Sequence, residues 1–323
     1  MGDDKEKIIV EFEPVGAVGA DEIEEVVEIE SVKNVSKELP KVVIAKTEKK
    51  SFNDLEIMQV GNGGGFDFNK TNSSFLIKIV DSNDKDNFEF LLIDCGFNVM
   101  AALIDLDKNK DEDFKFELLQ SVYITHMDDD HTGNLKQLIY YNHFMKNTFT
   151  KIYSGIEKLT THLDGVNDSL IGGVVQHDRK YSLEIFDNRK LIKFNKLNVT
   201  LILDLVKGFH GGTESYGCIF RNADSNKCIF ISGDTKANKK IEDDLCNILN
   251  GRLSCLIYHD FSHWDVPSRN VHACKNDFMN EYTDEFKNEA NLYHTGNEIF
   301  KLDWVKLEDN DKLYRGYIPK IRV

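Results

Sequence analysis

The stretch Tyr123-Ile124-Thr125-His126-Met127-Asp128-Asp129-Asp130-His131-Thr132-Gly133-Asn134 decides how the rest of the chain is read. It places two imidazoles and three carboxylates within six residues, directly after the short apolar run Ser121-Val122-Tyr123-Ile124. Carboxylates crowded this closely repel one another and call for a cation. A hard or borderline metal accepts both carboxylate oxygen and imidazole nitrogen. Alone, the stretch could also be a solvated acidic turn flanked by histidines. The surroundings decide between the two.

Working outward, short apolar runs end again and again in His or Asp followed by Gly, Thr or Ser. Upstream, Phe88 to Ile93 runs into Asp94-Cys95-Gly96. Downstream, Val199 to Val206 leads to Lys207-Gly208-Phe209-His210-Gly211-Gly212. Cys228-Ile229-Phe230-Ile231 leads to Ser232-Gly233-Asp234-Thr235, and Leu253 to Tyr258 to His259-Asp260. Asn291-Leu292-Tyr293-His294 closes the series. That rhythm predicts strands that present ligands from loops at one edge of a sheet. Helical spacing over Leu135 to Lys146 predicts a helix just after the opening stretch.

Collected, His126, Asp128, Asp130, His131, His210, Asp234 and His294 suffice for two metal ions, with one shared carboxylate. Zinc is the first candidate for the metal, and manganese and iron are alternatives. His143, His162 and His177 have no evident partner and read as ordinary polar residues. His259 and His263 read as supporting groups at most.

At this point the chain resembles the metallo-β-lactamase superfamily. The signature His-x-His-x-Asp-His stands here as His126-Met127-Asp128-Asp129-Asp130-His131, with Asp94, His210, Asp234 and His294 matching the other motifs. The resemblance implies an α/β fold, an αββα sandwich, and a metal-dependent hydrolase. It implies that His126, Asp128 and His210 hold the first ion, that Asp130, His131 and His294 hold the second, and that Asp234 bridges them. One departure stands out: Asp128 replaces the second His of the signature. Its carboxylate adds negative charge and hardness, which weakens the preference for zinc.

His210-Gly211-Gly212-Thr213-Glu214-Ser215-Tyr216-Gly217, Tyr258-His259-Asp260-Phe261-Ser262 and Val271-His272-Ala273-Cys274 are similar to segments of the transfer-RNA 3′-processing endonucleases and cyclic-nucleotide phosphodiesterases. Carried over, Asp260 would orient His272, and His272 would protonate the leaving oxygen. The catalytic set expected is therefore Asp130, His272 and Asp260. The reaction expected is hydrolysis of a small phosphodiester, a cyclic nucleotide first, by a metal-bridging hydroxide. A nuclease of the same fold and a non-catalytic metal or nucleotide binder are the alternatives.

Composition bounds these readings. The chain has 323 residues, 41% hydrophobic and 29% charged, as expected of a globular protein with a core. Its net charge of −15 repels polyanions, so a small anionic substrate is expected rather than extended nucleic acid. No run is long enough to cross a membrane, and no secretory signal opens the chain. The six cysteines form no CxxC pair and read as buried free thiols, with a cytoplasmic location. Residues 1–51 read as an acidic extension, flexible or adding strands, and residues 52–323 as the hydrolase domain. A homodimer is implied by the resemblance alone. Gly61-Asn62-Gly63-Gly64-Gly65 lacks the features of a phosphate loop and reads as a turn bringing backbone close to the site.

Overall fold

A computed structural model describes residues 50–294, apart from 53–54, 66–69, 82, 111–112, 172–173, 178, 195, 224–227, 251–254 and 263–270. The expected extension before residue 50, together with His263, lies outside the described residues.

The first sheet contains β1 (Lys50–Phe52), β2 (Leu55–Gly61), β3 (Ser74–Asp81), β4 (Asp84–Ile93), β5 (Leu119–Ile124) and β6 (Thr150–Ser154). A hairpin of β7 (Asp168–Ile171) and β8 (Val174–His177) intervenes, and β9 (Tyr181–Ile185) then completes the first sheet. The second sheet contains β10 (Arg189–Phe194), β11 (Val199–Lys207), β12 (Tyr216–Asn222), β13 (Cys228–Ile231), β14 (Cys255–Asp260) and β15 (Ala290–Tyr293). Within each sheet the strands lie in numerical order, β9 following β6.

Alternation along the strands explains the layering. Ile77, Ile79, Leu91, Ile93 and Tyr123 share one apolar cluster with Leu201, Leu203, Phe220 and Phe230 of the second sheet. Their neighbours Leu76, Phe90, Leu92, Val122 and Ile124 belong to a separate cluster with Val99, Leu103, Leu135 and Leu138. Because successive side chains point to opposite faces, β3, β4 and β5 are buried on both sides. Hence they read as near-continuous apolar runs. The helices Val99–Lys108 and Leu135–Met145 cover the outer face of the first sheet. Helices Lys239–Ile248, Lys275–Glu281 and Asp284–Glu289 bring Ile241, Leu245, Phe278 and Phe286 to the second. The result is the expected αββα sandwich.

Strands β4, β5, β6 and β9 pair in parallel, as do β13, β14 and β15. Parallel neighbours need long crossovers, so the carboxyl ends of these strands fall on one rim. Asp94, Thr125, His126, Asp234, Asp260 and His294 all stand at or just beyond those ends.

The structure corrects the reading of the cysteines. Cys228 and Cys255 stand opposite each other in the parallel register of β13 and β14 and are joined as a disulfide. Cys95, Cys218 and Cys246 are free thiols. Neighbouring parallel strands bring the two sulfurs together although 27 residues separate them, a proximity that local sequence does not carry. Among the described residues, no helix is long and apolar enough to cross a membrane.

Candidate active site

The opening stretch forms a short helix, Asp129–Thr132, that follows β5. Gly96 packs beneath it so closely that a Cβ there would lie 1.7 Å from the carbonyl oxygen of Asp130. Cys95 N–H donates to the His131 carbonyl and Asn134 N–H to the Cys95 carbonyl, which fastens the helix to the end of β4. Asp94 takes the left-handed conformation (φ 58°), as does His294 (φ 66°). Backbone held there in non-glycine residues costs roughly 1–3 kcal/mol and persists where surrounding structure enforces it, often at functional sites.

Three donor groups result, and two of them are made of expected ligands alone. Asp130, His131, Asp234 and His294 each offer a ligand atom within 4.8 Å of the others, and so do His126, His210 and Asp234. Asp234 belongs to both. Its carboxylate lies 3.6 Å from His126 Nε2, 3.2 Å from His131 Nε2 and 3.5 Å from His294 Nε2. Asp128 stands beside the second group: its Oδ2 lies 3.0 Å from His210 Nε2 and 3.7 Å from His126 Nε2, and its side chain is 43% exposed.

The histidines are oriented by one device. In each, Nδ1 meets an oxygen: Thr125 Oγ1 for His126 (3.0 Å), Asp94 Oδ2 for His131 (2.8 Å) and the Val271 carbonyl for His210 (3.1 Å). Ser73 Oγ serves His294 (3.2 Å) and Asp260 Oδ2 serves His272 (2.8 Å). Thr125 Oγ1 donates to Asp94 Oδ2 at 2.7 Å, so its lone pair is what faces His126. In His126, His131, His210 and His294 an acceptor at Nδ1 keeps the proton there and leaves Nε2 as the lone pair for a metal. Gly211, at φ 52°, makes the His210 turn possible; a Cβ on it would meet the Val271 side chain at 2.6 Å.

Charge and burial tune these groups. Burial, reinforced by the neighbouring imidazoles, holds His126 well below its ordinary pKa. Burial takes His294 down to about 4. Burial also pulls on His131, but the carboxylates of Asp234, Asp130 and Asp94 outweigh it and the pKa rises. Asp234 is held well below the carboxylate range because four histidines outweigh its burial. His272 is raised to about 9, since Asp260 and Asp234 outweigh its desolvation. Asp260 is raised by burial.

The donor set fits divalent metal ions. His126 Nε2, His131 Nε2 and Asp234 Oδ1 are buried and lack a hydrogen-bond partner. Each such atom costs about 1–3 kcal/mol if left bare, and a pair of cations, one in each group, would satisfy all three. Mixed imidazole and carboxylate donors suit zinc, and equally manganese or iron.

All seven expected ligands, together with Asp260 and His272, meet at this rim. His259 is no ligand. Its Nδ1 faces the Asp260 carbonyl and its Nε2 the Tyr282 hydroxyl, both at 2.7 Å. Sequence reasoning missed Thr125, Ser73 and Asn62, the last of which accepts His294 N–H at 2.8 Å. For Asn62 and Ser73 no local signal exists, because their partner lies more than 200 residues away along the chain.

With this geometry in place, comparison with known proteins identifies the relatives. A family model described as Anti-Pycsar protein Apyc1 matches residues 55–310, and the chain belongs to that family. It is 25% identical over 258 residues to the Anti-Pycsar protein Apyc1 of Bacillus phage BSP38, covering 76% of this chain and 90% of that protein. It is 33% identical over 132 residues to that of Bacillus phage vB_BsuM-Goe3, covering 41% of this chain and 45% of the relative, so the chain spans less than half of that protein's length. Among solved structures, the metallo-β-lactamase fold protein YhfI from Bacillus subtilis matches with a TM-score of 0.56 at 14% identity, covering 82% of this chain and 94% of its own. The short form of human tRNase Z matches with a TM-score of 0.52 at 14% identity, covering 75% and 92%. The chain has the metallo-β-lactamase fold.

Proposed function

We propose that this member of the Anti-Pycsar protein Apyc1 family hydrolyses a small phosphodiester, a cyclic nucleotide in the first instance. The observation that carries the reading is the pair of donor groups sharing Asp234, with His272 alongside, 3.6 Å from Asp234 and hydrogen-bonded through Nδ1 to Asp260. The relatives are named as anti-Pycsar proteins, and we carry that role over to this chain.

In this reading His126, Asp128 and His210 hold one ion, Asp130, His131 and His294 the other, and Asp234 both. Bound there, two divalent ions would supply Lewis acidity at the phosphoryl oxygens and a deprotonated water near neutral pH. Asp260 Oδ2 accepts from Thr235 N–H as well as from His272, so its carboxylate is fixed before it orients the imidazole. His272 keeps Nε2–H available for the substrate. As the water oxygen bonds to phosphorus and the P–O ester bond breaks, that proton passes to the leaving oxygen. His272 is then restored from the proton released by the water.

A small substrate is favoured over a polynucleotide. Of Lys236, Lys239 and Lys240, the cations that could begin a basic track near the Asp234 loop, the last two pair with Glu242, Asp243 and Asp244. With a net charge of −15, little attraction for a long polyanion remains. The test is to measure bound metal and assay cyclic mononucleotides, a precursor transfer RNA and a bis-aryl phosphodiester with added zinc or manganese. Turnover of a cyclic nucleotide is expected. Cleavage of the transfer RNA alone would make the protein a nuclease, and no turnover without bound metal would remove the enzyme reading.

A further inference from the structure

The glycine-rich turn after β2 has no role in the chemistry above, yet it touches the site twice. A Cβ on Gly65 would lie 3.2 Å from Asp130 Oδ2. On the other side, Asn62 Oδ1 accepts the backbone N–H of His294. Asn72 and Ser73 return beside the turn: Asn72 Nδ2 donates to the Gly64 carbonyl at 3.0 Å, and Gly63 bridges to Asn72.

Ser73 has one hydroxyl proton. Its Oγ lies 3.2 Å from the Gly63 carbonyl, which can only accept, so the proton points there. The Ser73 lone pair is then left to accept Nδ1–H of His294. That fixes the tautomer with Nε2 bare, 3.7 Å from Asp130 Oδ2 and 3.5 Å from Asp234 Oδ2. Asn62 holds the same residue by its backbone, against the left-handed φ of 66°. The other metal-facing histidines take their orientation from Thr125, Asp94 or Val271. His294 alone among them is set by the Gly61–Gly65 turn and Ser73.

We infer that Asn62 and Ser73 are positioning residues for one ion of the pair: they fix the rotamer and tautomer of His294 and so set the affinity of the Asp130–His131–His294 site without touching the other. This rests on the two-metal reading above. It makes the first strands of the sandwich a latch on its last ligand, at separations of 232 and 221 residues.

The test is chelator competition on the full chain, resolving the two metal-release steps, with metal content by atomic emission and unfolding of the metal-free protein as a control. Wild type should carry two ions. Ser73→Ala and Asn62→Ala should weaken one step by roughly 10–100-fold, leave the other in place, and leave metal-free unfolding near wild type. Asn62→Asp, which keeps the acceptor, should restore the weakened step. Two unchanged steps would overturn the inference, as would equal weakening of both, which would mean general loosening. If wild type binds no metal, the two-metal reading itself fails, a result distinct from either.

Discussion

The two halves of the donor set are built differently. Asp130, His131, Asp234 and His294 are enclosed: His131 is fully buried and the other three are nearly so. His126, His210 and Asp234 form the other half, whose fourth member, Asp128, is 43% exposed, with its Oδ2 3.0 Å from His210 Nε2 and 3.7 Å from His126 Nε2. One half is a closed set of four; the other is three donors with a carboxylate at the mouth. The difference follows from the single departure in the signature. An imidazole at position 128 would present a longer, neutral donor, while the carboxylate is shorter and charged. The enclosed half should therefore bind its ion more tightly, and the open half should be the more selective for harder metals.

Substitutions can break this comparison at graded strength. Asp234→Ala removes the member common to both halves. Both ions should be lost and turnover should fall by about 1,000-fold or more, since metal stabilisation of the transition state is worth several kcal/mol. Retention of one ion would show that the halves are independent. His272→Ala should lower kcat by about 100-fold or more with both ions retained. Loss of metal instead would make His272 a ligand, which its place in a third donor group with Asp234, Asp260 and His294 allows to be tested directly.

Asp94→Ala acts on both halves through their histidines. Asp94 Oδ2 meets His131 directly and His126 through Thr125. Affinity should fall by roughly 10–100-fold at each site, read by the same chelator titration. Asp128→His sharpens the contrast in the opposite direction: zinc affinity of the open half should rise by about tenfold and its preference for manganese should fall. An unchanged affinity would mean that Asp128 is not a ligand.

His259 is the reference for all five site histidines. It is as buried as His126 and His131, but both its nitrogens have partners and no donor group among the described residues includes it. Burial lowers its pKa to about 4. In the unfolded chain an imidazole titrates near 6.5. Between those values the unfolded state binds a proton that the folded state does not. Its contribution to stability is therefore full above about pH 6.5 and falls as pH drops towards 4. At about pH 5 the loss should be roughly 2 kcal/mol, seen as a lower urea midpoint. His259→Gln should flatten that dependence and leave activity near pH 7 unaffected. A pH dependence unchanged in His259→Gln would assign the loss to the site histidines.

What could be read from sequence was what lies close along the chain or repeats along it. Apolar runs ending in Asp or His gave away β4, β5, β13, β14 and β15 and their ligands, because strand alternation and loop composition are local properties. His126 to His131 was legible as a cluster for the same reason. The boundaries of helices were less so. Ile156 to Leu163 has helical spacing, yet the helix is only Leu159–His162. Beyond Ala273 the pattern reads as one helical stretch to Lys287, yet the chain forms two helices there, Lys275–Glu281 and Asp284–Glu289.

By itself, then, the amino-acid sequence offered the seven candidate donors through residue type and spacing. The fold class and the Asp260–His272 pair came from its resemblance to the metallo-β-lactamase superfamily. Only the tertiary structure decided which donors share Asp234, that Asp128 faces His210, that Cys228 meets Cys255, and that Asn62 and Ser73 hold His294. Each of these is a contact between segments far apart in sequence. Such contacts come from the packing of two sheets and the alignment of their strand ends, and no local pattern encodes them.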